Sequence, residues 1–259
     1  MRSSTIYREH SPFFYDLWRE VLIANVPRNI SERLESVRTK LVSDPTEFMR
    51  QDFGTGNSLN KGKTLIKQEA RKSLSSKWKV RILFRLIRHY QCRRVIELGT
   101  NLGLSSAYMA SANSNGHIFT LEGDPFLCQK AKSIHDELGL SNINIIEGRF
   151  EDTIADVLRR QGPFDLIFLD GNHDERATIK YFQNIKNHIH EETILVIDDV
   201  FWSEGMLRAW EGIKEFPGVT ASLLYFDLGI LFFSPRWSVP KHLEWVDRWM
   251  KPWTIIHAI

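Results

Sequence analysis

Apolar positions in the first third of the chain repeat at helical spacing, and from about Arg94 they change to short runs alternating with helical segments. Phe13–Ala24 reads as one helix and Ile30–Val42 as a second, entered after Pro27 and stopped before Asp44-Pro45. Gln51–Lys63, QDFGTGNSLNKGK, is rich in Gly, Asn and Ser and reads as a loop. Leu74–Tyr90 is a strongly amphipathic helix leading into the first of a series of strands. Those strands are expected over Val95–Leu98, His117–Glu122, Ile143–Ile146, Asp165–Leu169, Thr193–Asp198, Val219–Phe226 and Gly229–Phe233. Strands alternating with helices imply an α/β fold, a parallel sheet covered on both faces. The last two runs are separated only by Asp227-Leu228 and should form an antiparallel hairpin at a sheet edge. The tail, Pro235–Ile259, holds four of the eight tryptophans, spaced for a helix whose aromatic face packs on the domain or on a dimer partner.

The chain is organised around Val95–Ala110, VIELGTNLGLSSAYMA. A strand ends in Gly99-Thr-Asn-Leu-Gly103, and a helix, Leu104–Ala112, follows at once. Such a turn lets the backbone approach a ligand, and the helix amino end offers free N–H groups. The Gly-x-x-x-Gly spacing is neither that of a dinucleotide site nor that of a P-loop. Glu97 stands two residues before the first glycine, which favours a cationic ligand over a pyrophosphate. Glu122 closes the second strand, where a carboxylate suits a bidentate hydrogen bond to ribose hydroxyls.

Two later strands also end in carboxylates: FDLIFLDGNH (Phe164–His173) in Asp170 and ETILVIDDVFW (Glu192–Trp202) in Asp198-Asp199. In such a sheet ligands bind outside the carboxyl ends of the strands, where Glu97, Gly99, Glu122, Arg149, Asp170 and Asp198 would cluster. Converging carboxylates repel one another unless a cation lies between them. An all-oxygen set selects a hard ion such as Mg²⁺, Mn²⁺ or Ca²⁺ over Zn²⁺. The plainer reading is that Asp199 or Ser203 caps the following helix and that Asp170 accepts from loop amides. Asp198 and Asp199 can share an ion only if their strand has already ended, because neighbours on a strand face opposite ways. A histidine can accept a hydroxyl proton without a large pKa shift, so His173 suits proton abstraction, or is simply a surface residue. The other histidines read as surface or packing residues.

VIELGTNLGLSS followed by IFTLEGDP resembles the first two motifs of class I S-adenosylmethionine-dependent methyltransferases. The resemblance is to the catechol and caffeoyl-CoA O-methyltransferase branch and its bacterial relatives, and runs from about Leu74 to Phe233. It implies a Rossmann-like, doubly wound seven-stranded sheet with its last strand antiparallel, and an N-terminal helical extension. The chain then divides into a helical cap (1–73), the cofactor-binding domain (74–234) and the Trp-rich tail (235–259). S-adenosylmethionine would lie against Glu97, Gly99, Thr100, Asn101, Gly103, Ser105, Glu122, Gly123 and Asp170. Gly148-Arg149-Phe150 would frame its adenine. Metal-dependent members carry an Asp after the fourth strand and an acidic pair after the fifth; Asp170, Asp198 and Asp199 fall on those positions. His173 takes the place of a catalytic lysine, as in some bacterial sugar and antibiotic O-methyltransferases. The implied activity is divalent-metal-assisted O-methylation of a small catechol-like or sugar-diol acceptor. Helices before the first strand cover the cofactor in this group, so Gly54–Gly62 reads either as a lid or as a plain surface connection. Two departures leave the acceptor open: His190-Glu-Glu-Thr193 replaces a usual glycine pair, and Phe201–Met206 differs from the catechol enzymes. Metal-independent methylation of another acceptor, nucleic acid included, and a non-catalytic cofactor-binding module are the alternatives.

Composition changes little. At 259 residues the chain is long enough for a full core. Residues 1–94 carry 20 Lys/Arg against 9 Asp/Glu, but at scattered helical spacing, which suits solvated helix faces better than a nucleic-acid surface. The Asn/Asp-Pro-Pro-Tyr/Phe motif of base amino-group methylation is absent. Cys92 and Cys128 read as reduced structural thiols without metal-type spacing. No apolar run reaches the roughly 18 residues of a membrane span, and MRSSTIYREHSPFF lacks a signal-peptide core, so a cytoplasmic location is expected.

Overall fold

The leading helices form where periodicity places them. A computed structural model describes residues 12–51, 62–235 and 241–245, in two units: Pro12–Ile154, and Ala155 onward. In the first, α1 (Pro12–Leu17) runs into a π-helical turn, Trp18–Leu22, and α2 spans Arg28–Leu41. Next come β1 (Glu47–Arg50), β2 (Gly62–Leu65), α3 (Ile66–Ser73) and α4 (Lys77–Tyr90). β1 and β2 pair antiparallel, Glu47 opposite Leu65 and Arg50 opposite Gly62. Periodicity assigns neither strand, and the expected loop, Gln51–Lys63, reaches only the start of β2; a four-residue strand shows too few alternations to register before it is paired. Of the expected Gly54–Gly62 lid, only Gly62 is among the described residues.

These elements share a core with the helices that follow the first strands. Leu34, Phe48, Ile66, Phe84, Tyr108 and Leu127 belong to one buried cluster. Phe48 stacks on Phe126 with ring centroids 4.4 Å apart; burying such a ring contributes about 1.5–3 kcal/mol. β3 (Arg94–Leu98), α5 (Leu104–Ala112), β4 (His117–Glu122), α6 (Pro125–Glu137) and β5 (Ile143–Glu147) follow, then α7 (Phe150–Gln161). β3, β4 and β5 are parallel, with Glu97 opposite Thr120 and Glu122 opposite Glu147. Asp124 caps α6, accepting from Phe126 N–H at 2.9 Å, and Pro125 occupies the first helical position.

The second unit holds β6 (Leu166–Leu169), α8 (Glu175–Ile185), β7 (Ile194–Ile197), α9 (Glu204–Lys214), β8 (Ala221–Tyr225), β9 (Leu228–Phe232) and β10 (Lys241–Trp245). β6 and β7 are parallel and buried along their whole length, as a sheet covered on both faces requires. β9 runs antiparallel to both β7 and β8, so the hairpin is present. A side chain at Gly229 would put Cβ 2.4 Å from the Trp210 ring, which is why β9 carries glycine there.

The tail departs from expectation. Residues 241–245 form a strand parallel to β8 rather than part of a helix; pairing satisfies backbone groups that β8 would otherwise leave open. The remainder of the tail lies outside the described residues. The large sheet therefore has eight strands, the expected seven and β10. Cys92 and Cys128 are free and buried. Among the described residues no helix is long and apolar enough to cross a membrane.

Candidate active site

In the first unit, the turn between β3 and α5 is built against the end of β4. The N–H groups of Gly99 and Thr100 both donate to the Leu121 carbonyl, at 3.0 and 3.1 Å. Glu97 is fully buried and accepts from the Thr120 hydroxyl at 2.6 Å, and Thr120 meets the Thr100 hydroxyl at 2.5 Å. Gly99 and Gly103 have φ of 109° and 76°, so the first and last residues of the turn use left-handed backbone. Gly103 caps α5; its carbonyl receives Ala107 N–H at 3.1 Å and lies 2.9 Å from His135 Nε2. Burial holds the His135 pKa below its ordinary value, keeping the ring neutral beneath the turn. Ser105 is buried in the first turn of α5.

Glu122 is the hub. Its Oε2 accepts Asn101 N–H at 2.8 Å and its Oε1 accepts Asp124 N–H at 2.9 Å. Each oxygen keeps a second lone pair for a ligand hydroxyl. Burial raises the Glu122 pKa and the Asp124 charge adds to the rise, against the two backbone donors and the Arg50 charge. The Glu122 carbonyl takes Gly148 N–H at 2.9 Å, which ties the 148–150 turn to the end of β4. Gly123 and Phe150 are half-buried there and Arg149 is exposed.

Three residues that sequence reasoning passes over complete this group. Glu69 of α3 accepts from Asn101 Nδ2 at 2.7 Å. Arg50 of β1 lies 3.7 Å from Glu69 and 3.6 Å from Asp124. Asp124 also accepts Gln51 N–H at 2.7 Å. Only Asp124 carries a local signal, an Asp-Pro helix start; the other two are brought in by the packing of α3 and the hairpin.

The second unit carries the other expected residues. β7 ends at Ile197, so Asp198 and Asp199 lie beyond the strand and do not alternate across it. Asp199 has φ of 52°, Asn172 66° and His173 37°, a concentration of left-handed backbone in two loops. His173 Nε2 lies 3.8 Å from Asp170 and 3.6 Å from Asp199. Asp170, His173 and Asp199 offer ligand atoms all within 4.8 Å of one another, as do Asp198, Asp199 and Asp227. Asp199 is thus common to both groups, while Asp170 and Asp198 are not brought into one. Asp198 also accepts Asp199 N–H at 2.7 Å. Trp202, 63% exposed, places its ring 5.4 Å from that of His173. Asp227 and Trp202 are additions to the expected set.

Residues 96–200 match a family model described as a methyltransferase domain. No curated protein sequence matches the chain. Among solved structures, the SAH-bound methyltransferase PaMTH1 of Podospora anserina is 20% identical, with a TM-score of 0.62, covering 90% of this chain and 100% of that one. The O-methyltransferase TomG of Streptomyces achromogenes, in complex with SAM, is 22% identical with a TM-score of 0.56, over 79% and 98% of the two chains. An O-methyltransferase of Bacillus cereus in complex with SAH is 19% identical with a TM-score of 0.57, over 85% and 96%. Residues 96–200 thus match a methyltransferase domain, within a fold shared with these solved structures. Two of these three similar structures are O-methyltransferases.

Proposed function

We propose that the protein transfers a methyl group from S-adenosylmethionine to a hydroxyl of a small acceptor, with His173 taking the proton. The observation that carries this reading is the convergence of His173 with Asp170 and Asp199 on loops that follow two strands of the methyltransferase domain. In the first unit, the Gly99–Gly103 turn and the remaining lone pairs of Glu122 fit the cofactor, with Glu97, Thr100, Asn101, Ser105, Gly123, Arg149 and Phe150 around them. The bound cofactor supplies a methyl group already activated on a sulfonium. What is left to the protein is to fix the acceptor oxygen and remove its proton. Positioning of that kind contributes about 7–11 kcal/mol, more than a base alone.

Asp198, Asp199 and Asp227 present only oxygen donors, a set that fits a hard divalent ion such as Mg²⁺ or Mn²⁺. Such an ion would lower the pKa of a hydroxyl beside it. Asp170 and Asp199 also flank His173 and stabilise its imidazolium once it holds the proton. The exposed Trp202 ring beside His173 suits an acceptor that presents a flat or ring-shaped face. A catechol or a sugar diol combines that face with adjacent oxygens. Incubation with labelled S-adenosylmethionine and a panel of such acceptors tests this. We expect transfer that chelator suppresses and that His173→Ala reduces about 10²–10⁴-fold. Turnover undiminished in both His173→Ala and Asp170→Asn would refute it.

A further inference from the structure

We infer that Glu69 and Arg50, outside the glycine motif, are positioning residues of the cofactor site, acting through Asn101, Glu122 and Asp124. This rests on the reading of the Gly99–Gly103 turn and Glu122 as the S-adenosylmethionine site.

Asn101 adopts φ of 46°, left-handed backbone that asparagine tolerates but that contacts must fix in place. Three hydrogen bonds do so. Its N–H donates to Glu122 at 2.8 Å, its side-chain amide donates to Glu69 at 2.7 Å, and its Oδ1 accepts Leu102 N–H at 2.7 Å. The Glu122 bond comes from the ribose-binding candidate itself, so the angle of Asn101 and the aim of the Glu122 carboxylate are coupled. The Glu69 bond anchors both to α3.

Glu69, Glu122 and Asp124 are each under a tenth exposed, and three carboxylates gathered out of water need compensation. Arg50 supplies it, within 3.7 Å of Glu69 and 3.6 Å of Asp124. The charged or titratable groups around Glu122 are Arg50 on β1, Glu69 on α3, Asp124 before α6, Cys128 on α6 and Glu147, its register partner on β5. Among these Arg50 is the cation, and its charge opposes protonation of Glu122. A carboxylate that accepts two ribose hydroxyls must be ionised, so Arg50 maintains the binding form.

The test is calorimetric titration of the full chain with S-adenosylhomocysteine across pH. Glu69→Ala should weaken binding about tenfold or more, and Glu69→Gln should restore most of it, since its carbonyl still accepts from Asn101. Arg50→Met should move the acid-side loss of affinity to higher pH, an effect that simple loosening of the hairpin would not produce. In an Asn101→Gly background, Glu69→Ala should have little further effect, because the link it serves is already gone. That comparison also covers the case in which Glu69→Ala alone folds poorly. Wild-type binding with unchanged affinity in Glu69→Ala and an unchanged pH profile in Arg50→Met would overturn the inference and leave the cofactor reading intact. A wild-type chain that does not bind S-adenosylhomocysteine would overturn both.

Discussion

Gly103→Ala separates backbone strain from packing at the turn. Gly103 has φ of 76°, and an added Cβ would lie 2.7 Å from His135 Nε2, 2.8 Å from Ala131 Cβ and 3.1 Å from Ala131 Cα. The last is helix backbone, and the His135 ring is buried and held against the Gly103 carbonyl, so neither can yield cheaply. Gly139 is the matched control: its φ is 61°, but nothing lies within 4 Å of a Cβ built there. Placing alanine in left-handed backbone costs about 1–2 kcal/mol at either position. Overpacking adds about 1–3 kcal/mol at Gly103 alone. The entropy alanine removes from the unfolded chain is common to both variants and cancels. Gly103→Ala should therefore melt about 2–12 °C below Gly139→Ala, at about 2–4 °C per kcal/mol for a chain of this size. Differential scanning calorimetry of both variants at neutral pH, without ligand, reads this directly. If Gly103→Ala melts with or above Gly139→Ala, the close packing of α5 on α6 beneath the turn is wrong.

Three further outcomes are expected. Burial pushes the Asp44 carboxyl up, but the Thr46 and Lys130 hydrogen bonds outweigh it and hold its pKa near about 2. Because the folded value lies below the unfolded one, the stabilisation is complete above about pH 4 and is lost as pH falls toward 2; the stability gap between wild type and Asp44→Asn should be present at pH 7 and close over that window. Burial, reinforced by the charges of Glu122, Glu147 and Asp124, raises the Cys128 thiol to about 12, so iodoacetamide at pH 8 should leave it unmodified until the chain unfolds; rapid native labelling seen by mass spectrometry would contradict this. Trp202→Ala should raise the acceptor KM while leaving S-adenosylhomocysteine affinity unchanged, and a change confined to cofactor affinity would remove Trp202 from the acceptor's surroundings.

What the sequence by itself determined is whatever depends on near neighbours along the chain. Short apolar runs bounded by turn residues, such as Leu166–Leu169 and Ile194–Ile197, read as buried strands, and the motif from Val95 to Gly103, with Glu122 about twenty residues on, is local chemistry. The tertiary structure alone decided features that rest on partners distant in sequence. The four-residue strands β1 and β2 exist because they pair, and residues 241–245 extend because β8 offers an edge. Arg50 and Glu69 reach the Gly99–Gly103 turn only because α3 and the hairpin pack into the core of α5 and α6. His173 rather than Asp198 joins Asp170 and Asp199, because β7 stops at Ile197 and the chain then turns through left-handed backbone at Asp199. Periodicity reports which face of an element is apolar; it carries no record of which ionised groups the folded chain brings within a few ångströms of one another, and that is set by packing.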